Sequence, residues 1–241
     1  MSRATEIDQN LNEVRTRIAK ACQRAGRALS DVRLLAVSKT VAPEDIVAAM
    51  AAGQLDFAEN YGQEFRDKVV AVEALLSVQP SLPKPRWHFI GPLQTNKVKY
   101  VAGKTETIHT VADLGVLAEV ERKCVAAGKI QDCLVQVNVA GETQKSGLFP
   151  GSLPSLLDAF ATYPHCRCLG LMVIPPYDPN PELSRPHFQA LRRLRDDHAI
   201  VSRLHVDLRH LSMGMSHDVE VAIDCGATLV RVGTAIFGAR S

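Results

Sequence analysis

Apolar or β-rich runs recur along the chain near residues 33 to 38, 55 to 58, 87 to 90, 106 to 109, 132 to 139, 167 to 174, 205 to 211 and 228 to 232. Their lengths and their content of Val, Ile, Leu and Phe predict eight buried strands. Helical spacing of apolar positions appears between them, near residues 43 to 52, 61 to 77, 95 to 102, 113 to 127, 152 to 162, 184 to 199 and 216 to 225. One more helix precedes the first strand, from about residue 3 to 28. Alternation of strand and helix predicts a parallel sheet with helical crossovers. Eight such units without a dinucleotide glycine fingerprint favour a closed (β/α)8 TIM barrel over an open doubly wound sheet, and 241 residues is a length that suits it. The extra N-terminal helix is expected to cover the bottom or side of the barrel. The Pro-rich stretches 79 to 86 and 175 to 181 read as loops, and residues 1 to 241 read as a single domain without linker or repeat.

Composition narrows the function classes. The chain has 28 basic and 26 acidic side chains, a formal charge of +2, with the signs mixed along its length. Lys97, Lys99 and Lys104 form the densest basic stretch, and a solvated helix face explains them, so no nucleic-acid partner is expected. The six cysteines are scattered; Cys166 and Cys168, with one residue between them, have neither zinc-pair nor thioredoxin-pair spacing, and no metal site is expected. No apolar run reaches membrane-spanning length, and residues 1 to 13 carry Asp8 and Glu13 in place of a secretory apolar core. A cytoplasmic protein without a membrane partner is the expectation.

In barrels of this kind the chemistry lies where the strands end at their carboxyl side. The expected strand ends are polar: Lys39 on the first, Glu59 and Asn60 on the second, His109 on the fourth, Asn138 on the fifth, Ser212 on the seventh, and Arg231 followed by Gly233 and Thr234 on the eighth. Lys39 closes the run Leu34-Leu35-Ala36-Val37-Ser38, and a lysine there, partly buried or beside another cation, can act as an amine nucleophile toward an aldehyde. The loops after strands seven and eight, at residues 211 to 216 and 231 to 238, carry the small residues and hydroxyls of a phosphate site. Ser216, ahead of His217 and Asp218, reads equally as a helix cap. Arg231 interrupts an apolar strand and calls for an acceptor partner in the mouth.

Taken with the segments FAENY at 57 to 61, WHFIGPLQTNK at 87 to 97, KSG at 145 to 147, GLM at 170 to 172 and the two C-terminal loops, Lys39 makes the chain closely resemble the YggS/PROSC pyridoxal-phosphate homeostasis family, from about residue 5 to residue 240. The resemblance implies a barrel of the alanine racemase N-terminal domain type that binds pyridoxal 5'-phosphate (PLP) covalently, as an internal aldimine on Lys39. It implies further that Ser212, Gly233 and Thr234 hold the phosphate, that Asn60 lies beside the cofactor and that Arg231 faces the pyridine nitrogen. His217, where the family often has an acidic residue, and Ala58, where glycine is frequent, depart from the pattern.

On that resemblance the expected function is PLP homeostasis: a vitamin B6 carrier that holds the aldehyde on Lys39 and releases it, to apo PLP-dependent enzymes among other recipients, without robust turnover. A guanidinium at the pyridine nitrogen disfavours its protonation and weakens the cofactor as an electron sink. Racemisation tolerates such an arginine but needs an acid–base group on each face, and Lys39 supplies one. In the alanine racemases a second domain and its tyrosine complete the site; this sequence stops at Ser241, directly after the barrel. A PLP-dependent amino-acid racemase is the alternative, and a lysine-dependent aldolase a second. A monomer is expected. Residues 140 to 151, with Lys145, read as a surface loop, with a mobile lid or a second lysine for cofactor hand-over as the other readings.

Overall fold

The computed structural model describes residues 2–142, 144 and 146–238. Eight parallel strands close into a barrel in sequence order: β1 (Arg33–Val37), β2 (Asp56–Glu59), β3 (Arg86–Phe89), β4 (Thr107–Val111), β5 (Gln131–Gln136), β6 (Cys166–Met172), β7 (Val206–Ser212) and β8 (Leu229–Val232). β8 returns to pair with β1, Leu35 opposite Arg231. The helices are α1 (Arg3–Arg24), α2 (Pro43–Ala51), α3 (Gly62–Ser77), α4 (Leu114–Ala127), α5 (Leu153–Ala159), α6 (Arg185–Ala199), α7 (Val219–Asp224) and α8 (Thr234–Phe237). The predicted helix over 95 to 102 is instead a 3-10 helix, Thr95–Tyr100. Its Thr-Asn start competes for backbone hydrogen bonds, and Gly103 at φ 69° soon turns the chain into β4. α1 ends before residue 28 because Gly26 takes φ 63°.

Side chains alternate along each strand between the barrel interior and the helix layer. Leu35, Val37, Ala58, Ile90, Leu134, Leu169, Met172 and Leu229 form the inner apolar cluster. Outward neighbours such as Ala36, Phe57, Phe89, Ile108 and Val230 pack under the helices in the larger core. α1 lies on the side of the barrel, burying Ile7, Leu11, Val14 and Ile18 on one face against α2, α7 and α8. All six cysteines are buried and unbridged, and burial pushes the Cys168 thiol up to about 12. Among the described residues no helix is long and apolar enough to cross a membrane.

Candidate functional site

Lys39 follows Leu35 and Val37 on the inward register of β1, while Ser38 faces out. The backbone on either side of it is clamped from the helix layer. Lys68 Nζ, on α3, donates to the Ser38 carbonyl at 2.5 Å, to Glu59 Oε1 at 2.8 Å and to Glu64 Oε1 at 2.7 Å. Ser38 Oγ donates to Glu59 Oε1 at 2.6 Å, and the Thr40 N–H donates to Glu64 Oε1 at 2.5 Å. Thr40 itself sits at φ 62°, a conformation that strains a β-branched residue. Lys39 thus leaves the strand through a turn held by two carboxylates. Glu59, expected in the mouth, is turned outward by the alternation that points Ala58 inward, and burial pushes its carboxyl upward against the pull of Lys68.

The loops after β7 and β8 meet beside Lys39. Ser216 Oγ accepts from the Gly233 N–H at 3.4 Å and lies 3.2 Å from Thr234 Oγ1. From outside, α1 braces this meeting point: Arg17 donates to the Ser216 carbonyl at 2.9 Å and pairs with Glu220 at 2.7 Å. Asp218 ties the β7 loop together by accepting from the Met215 N–H at 2.6 Å and the Ser184 hydroxyl at 3.0 Å. Ser216 is not a helix cap here, since that position falls to Asp218. Gly233, at φ −119°, lies outside the left-handed region that favours glycine.

Arg231 points inward from β8 and is 3% exposed. Its Nη1 donates to Ser212 Oγ at 2.7 Å and its Nη2 to the Val173 carbonyl at 2.9 Å. Burial pushes the guanidinium down to about 10, opposed by Asp218, which leaves it cationic at neutral pH. The hydroxyl of Ser212, which the resemblance assigns to the phosphate, lies wholly buried beneath Arg231, with His109 Nδ1 at 2.9 Å on its other side, and the hydroxyls beside the Gly233 N–H are those of Ser216 and Thr234. His109 is likewise interior, and Asn138 is spent on its own loop, bonding the Glu142 carbonyl and the Gly141 N–H.

Asn60 follows β2 and is fixed by Gly91 of the neighbouring loop, where a Cβ would stand 1.9 Å from the Asn60 carbonyl oxygen. Lys39, Asn60, Ser216, Arg231, Gly233 and Thr234 all line one cavity of about 620 Å³, within the size range of small-molecule sites, about 300–1,000 Å³. Lys39, Gly233 and Thr234 also form the wall of a second cavity of about 270 Å³ that runs toward Arg3 and Asp45. Sequence reasoning did not place Pro92, Ile174, Tyr177 or His217 at the mouth. Tyr177 and His217 pack there with ring centroids 5.0 Å apart and their planes tilted by 55°; they sit in loops, where no period betrays direction. Lys145 lies outside the described residues.

The arrangement joins an amine, a cluster of hydroxyls and a backbone N–H suited to an anion, and a buried guanidinium, around one cavity. Comparison with known proteins gives this geometry a context. Residues 9–241 match the family described as alanine racemase, N-terminal domain. Over 232 residues the chain is 45% identical to the pyridoxal phosphate homeostasis protein of Aquifex aeolicus, covering 96% of this chain and 97% of that one. The chain belongs to the pyridoxal phosphate homeostasis protein family. Its members are named for homeostasis rather than for a reaction. Among solved structures, an unknown protein from Bifidobacterium adolescentis superposes with a TM-score of 0.90 at 35% identity, covering 98% of this chain and 96% of that one. PipY of Synechococcus elongatus, with PLP bound, superposes with a TM-score of 0.80 at 29% identity, covering 96% and 100%.

Proposed function

We propose that residues 1 to 241 act as one PLP-binding domain that holds the cofactor covalently on Lys39 and releases it to apo enzymes, as a cytoplasmic monomer in PLP homeostasis. The observation that carries this reading is the single cavity lined by Lys39, Asn60, Arg231, Gly233 and Thr234. Its chemistry matches the ligand group by group. The Lys39 amine takes the aldehyde, the Gly233 N–H with the Ser216 and Thr234 hydroxyls takes the phosphate, Asn60 stands beside the ring, and Arg231 meets the ring nitrogen. When bound, PLP supplies an electrophilic carbon and a ring able to accept electrons; Arg231, a donor with no acceptor capacity, keeps that ring nitrogen unprotonated. Family membership and the PLP recorded in PipY support the same ligand.

A racemase is the second reading, favoured by one observation. Tyr177 and His217 line the cavity and bring two titratable groups to a site where sequence reasoning found only Lys39. Two assays on the loaded protein separate the readings. The carrier reading predicts that an apo PLP-dependent enzyme regains activity faster than spontaneous release of cofactor allows, while L-alanine keeps its optical activity. Reactivation no faster than spontaneous release contradicts the carrier, and loss of optical activity that depends on His217 or Tyr177 establishes the racemase.

A further inference from the structure

A buried hydrogen-bond chain descends through the barrel from the floor of the mouth. Below Arg231 and Ser212, His109 Nδ1 lies 2.9 Å from Ser212 Oγ, His109 Nε2 lies 3.2 Å from His88 Nδ1, and His88 Nε2 lies 3.3 Å from Asp56 Oδ1. The five residues come from β8, β7, β4, β3 and β2, and none is more than 5% exposed. Barrel interiors are usually filled by branched apolar side chains. A polar chain there is costly unless each member is satisfied.

Its direction follows from the groups at its ends. Asp56 is bound by Arg86 at 2.8 and 2.6 Å and approached by Arg33 at 3.7 Å; burial pushes its carboxyl up, but the bonds from Arg86 and His88 outweigh it and hold the carboxyl down at about 2. An ionised carboxylate only accepts, so the proton of His88 belongs on Nε2. With one proton per ring, His88 Nδ1 then accepts from His109 Nε2, and His109 Nδ1 accepts from the Ser212 hydroxyl. Ser212 Oγ is left to accept from Arg231, which can only donate. A second proton on either ring would turn His109 Nδ1 into a donor and leave the Ser212 hydroxyl proton without an acceptor among the described residues. The whole chain therefore donates away from the mouth and ends on a carboxylate.

Arg231 needs such a support. Among the described residues no carboxylate is in ion-pair contact with it, so its buried charge is compensated by Asp218 at longer range and by this polarised chain. Ser212 and Val173 take two of its five N–H groups, and the residue also lines the cavity.

We propose that Asp56, His88, His109 and Ser212 are positioning residues for Arg231, holding its guanidinium as an oriented donor against the ring nitrogen of the cofactor, an inference that rests on the PLP reading above. The first test uses the full chain without added cofactor and needs no variant to fold. Imidazole ¹⁵N spectra near neutral pH are expected to show His88 and His109 each as the singly protonated Nε2–H form. An Nδ1–H form of either ring overturns the proposal. The second uses PLP-loaded protein. Ser212→Ala is expected to release cofactor about tenfold faster than the parent, the effect of losing one hydrogen bond to a charged group, and Ser212→Thr, which keeps the hydroxyl, to stay within about twofold. Equal release from the parent and a folded Ser212→Ala overturns the proposal. If the parent itself takes up no PLP, the cofactor reading fails, and the tautomers still decide whether the chain is oriented as described.

Discussion

Lys68→Met is expected to lower the unfolding free energy by about 3–5 kcal/mol, because it strands a buried carboxylate. Lys68 is only 5% exposed at its side chain, and all three of its N–H groups are used, on the Ser38 carbonyl, Glu59 and Glu64. Glu59 is wholly buried, and its Oε2 has no hydrogen-bond partner, so Lys68 is the cation that favours its ionised form against burial. Without that cation, the Glu59 carboxyl, already raised by burial, rises further. A carboxyl whose folded pKa exceeds its unfolded value favours the fold at low pH and loses that contribution as pH rises through the folded value. The defect of Lys68→Met should therefore shrink on acidification, and adding Glu59→Gln should restore part of the loss at neutral pH. Denaturant titrations of the two single variants and the double variant check this. A loss under about 1 kcal/mol, typical of a solvated pair, would contradict the buried clamp. The clamp also holds the peptides on both sides of Lys39, so its stability and the aim of the amine are one matter.

Gly91→Ala should have the largest effect of any single methyl added near the site. The new Cβ would stand 1.9 Å from the oxygen, 2.6 Å from the carbonyl carbon and 2.8 Å from the Cα of Asn60. These are backbone atoms, and the adjoining Ile90 N–H bonds the Glu59 carbonyl at 2.9 Å, so β2 and β3 cannot separate without losing their pairing. The expected result is a loss of about 3 kcal/mol or more, the upper range for overpacking, with cofactor uptake impaired because Asn60 moves. Gly151→Ala is the control, since nothing lies within 4 Å of its added methyl. Melting curves of the two variants should separate clearly; similar curves would show that Asn60 yields freely.

The strands were legible in the sequence to within a few residues because buried parallel strands are short continuous apolar runs, and the barrel followed from their alternation with helices. Lys39 and Gly233-Thr234 were picked out because they stand where such runs stop, and the structure brings the three to one cavity. What the runs conceal is which way a polar side chain points. Glu59 and Ser212 end their strands, and His109, expected to end the fourth, stands in the middle of β4; yet Glu59 faces α3, and the other two face one another inside the barrel. Alternation from Ala58 would have turned Glu59 outward; nothing local reveals that Ser212 meets His109, 103 residues away. Ser216 was visible as a hydroxyl of the phosphate-type loop but read equally as a cap, because its partner Thr234 comes from another loop.

The central claim is that Lys39 is the covalent anchor of PLP, and the most direct test is to reduce the protein with borohydride in the presence of PLP and map the modified residue by mass spectrometry, beside Lys39→Ala. The account predicts one stoichiometric adduct on Lys39, together with a visible absorption band that the variant lacks. Stoichiometric modification of another lysine, or an unchanged band in Lys39→Ala, would contradict it.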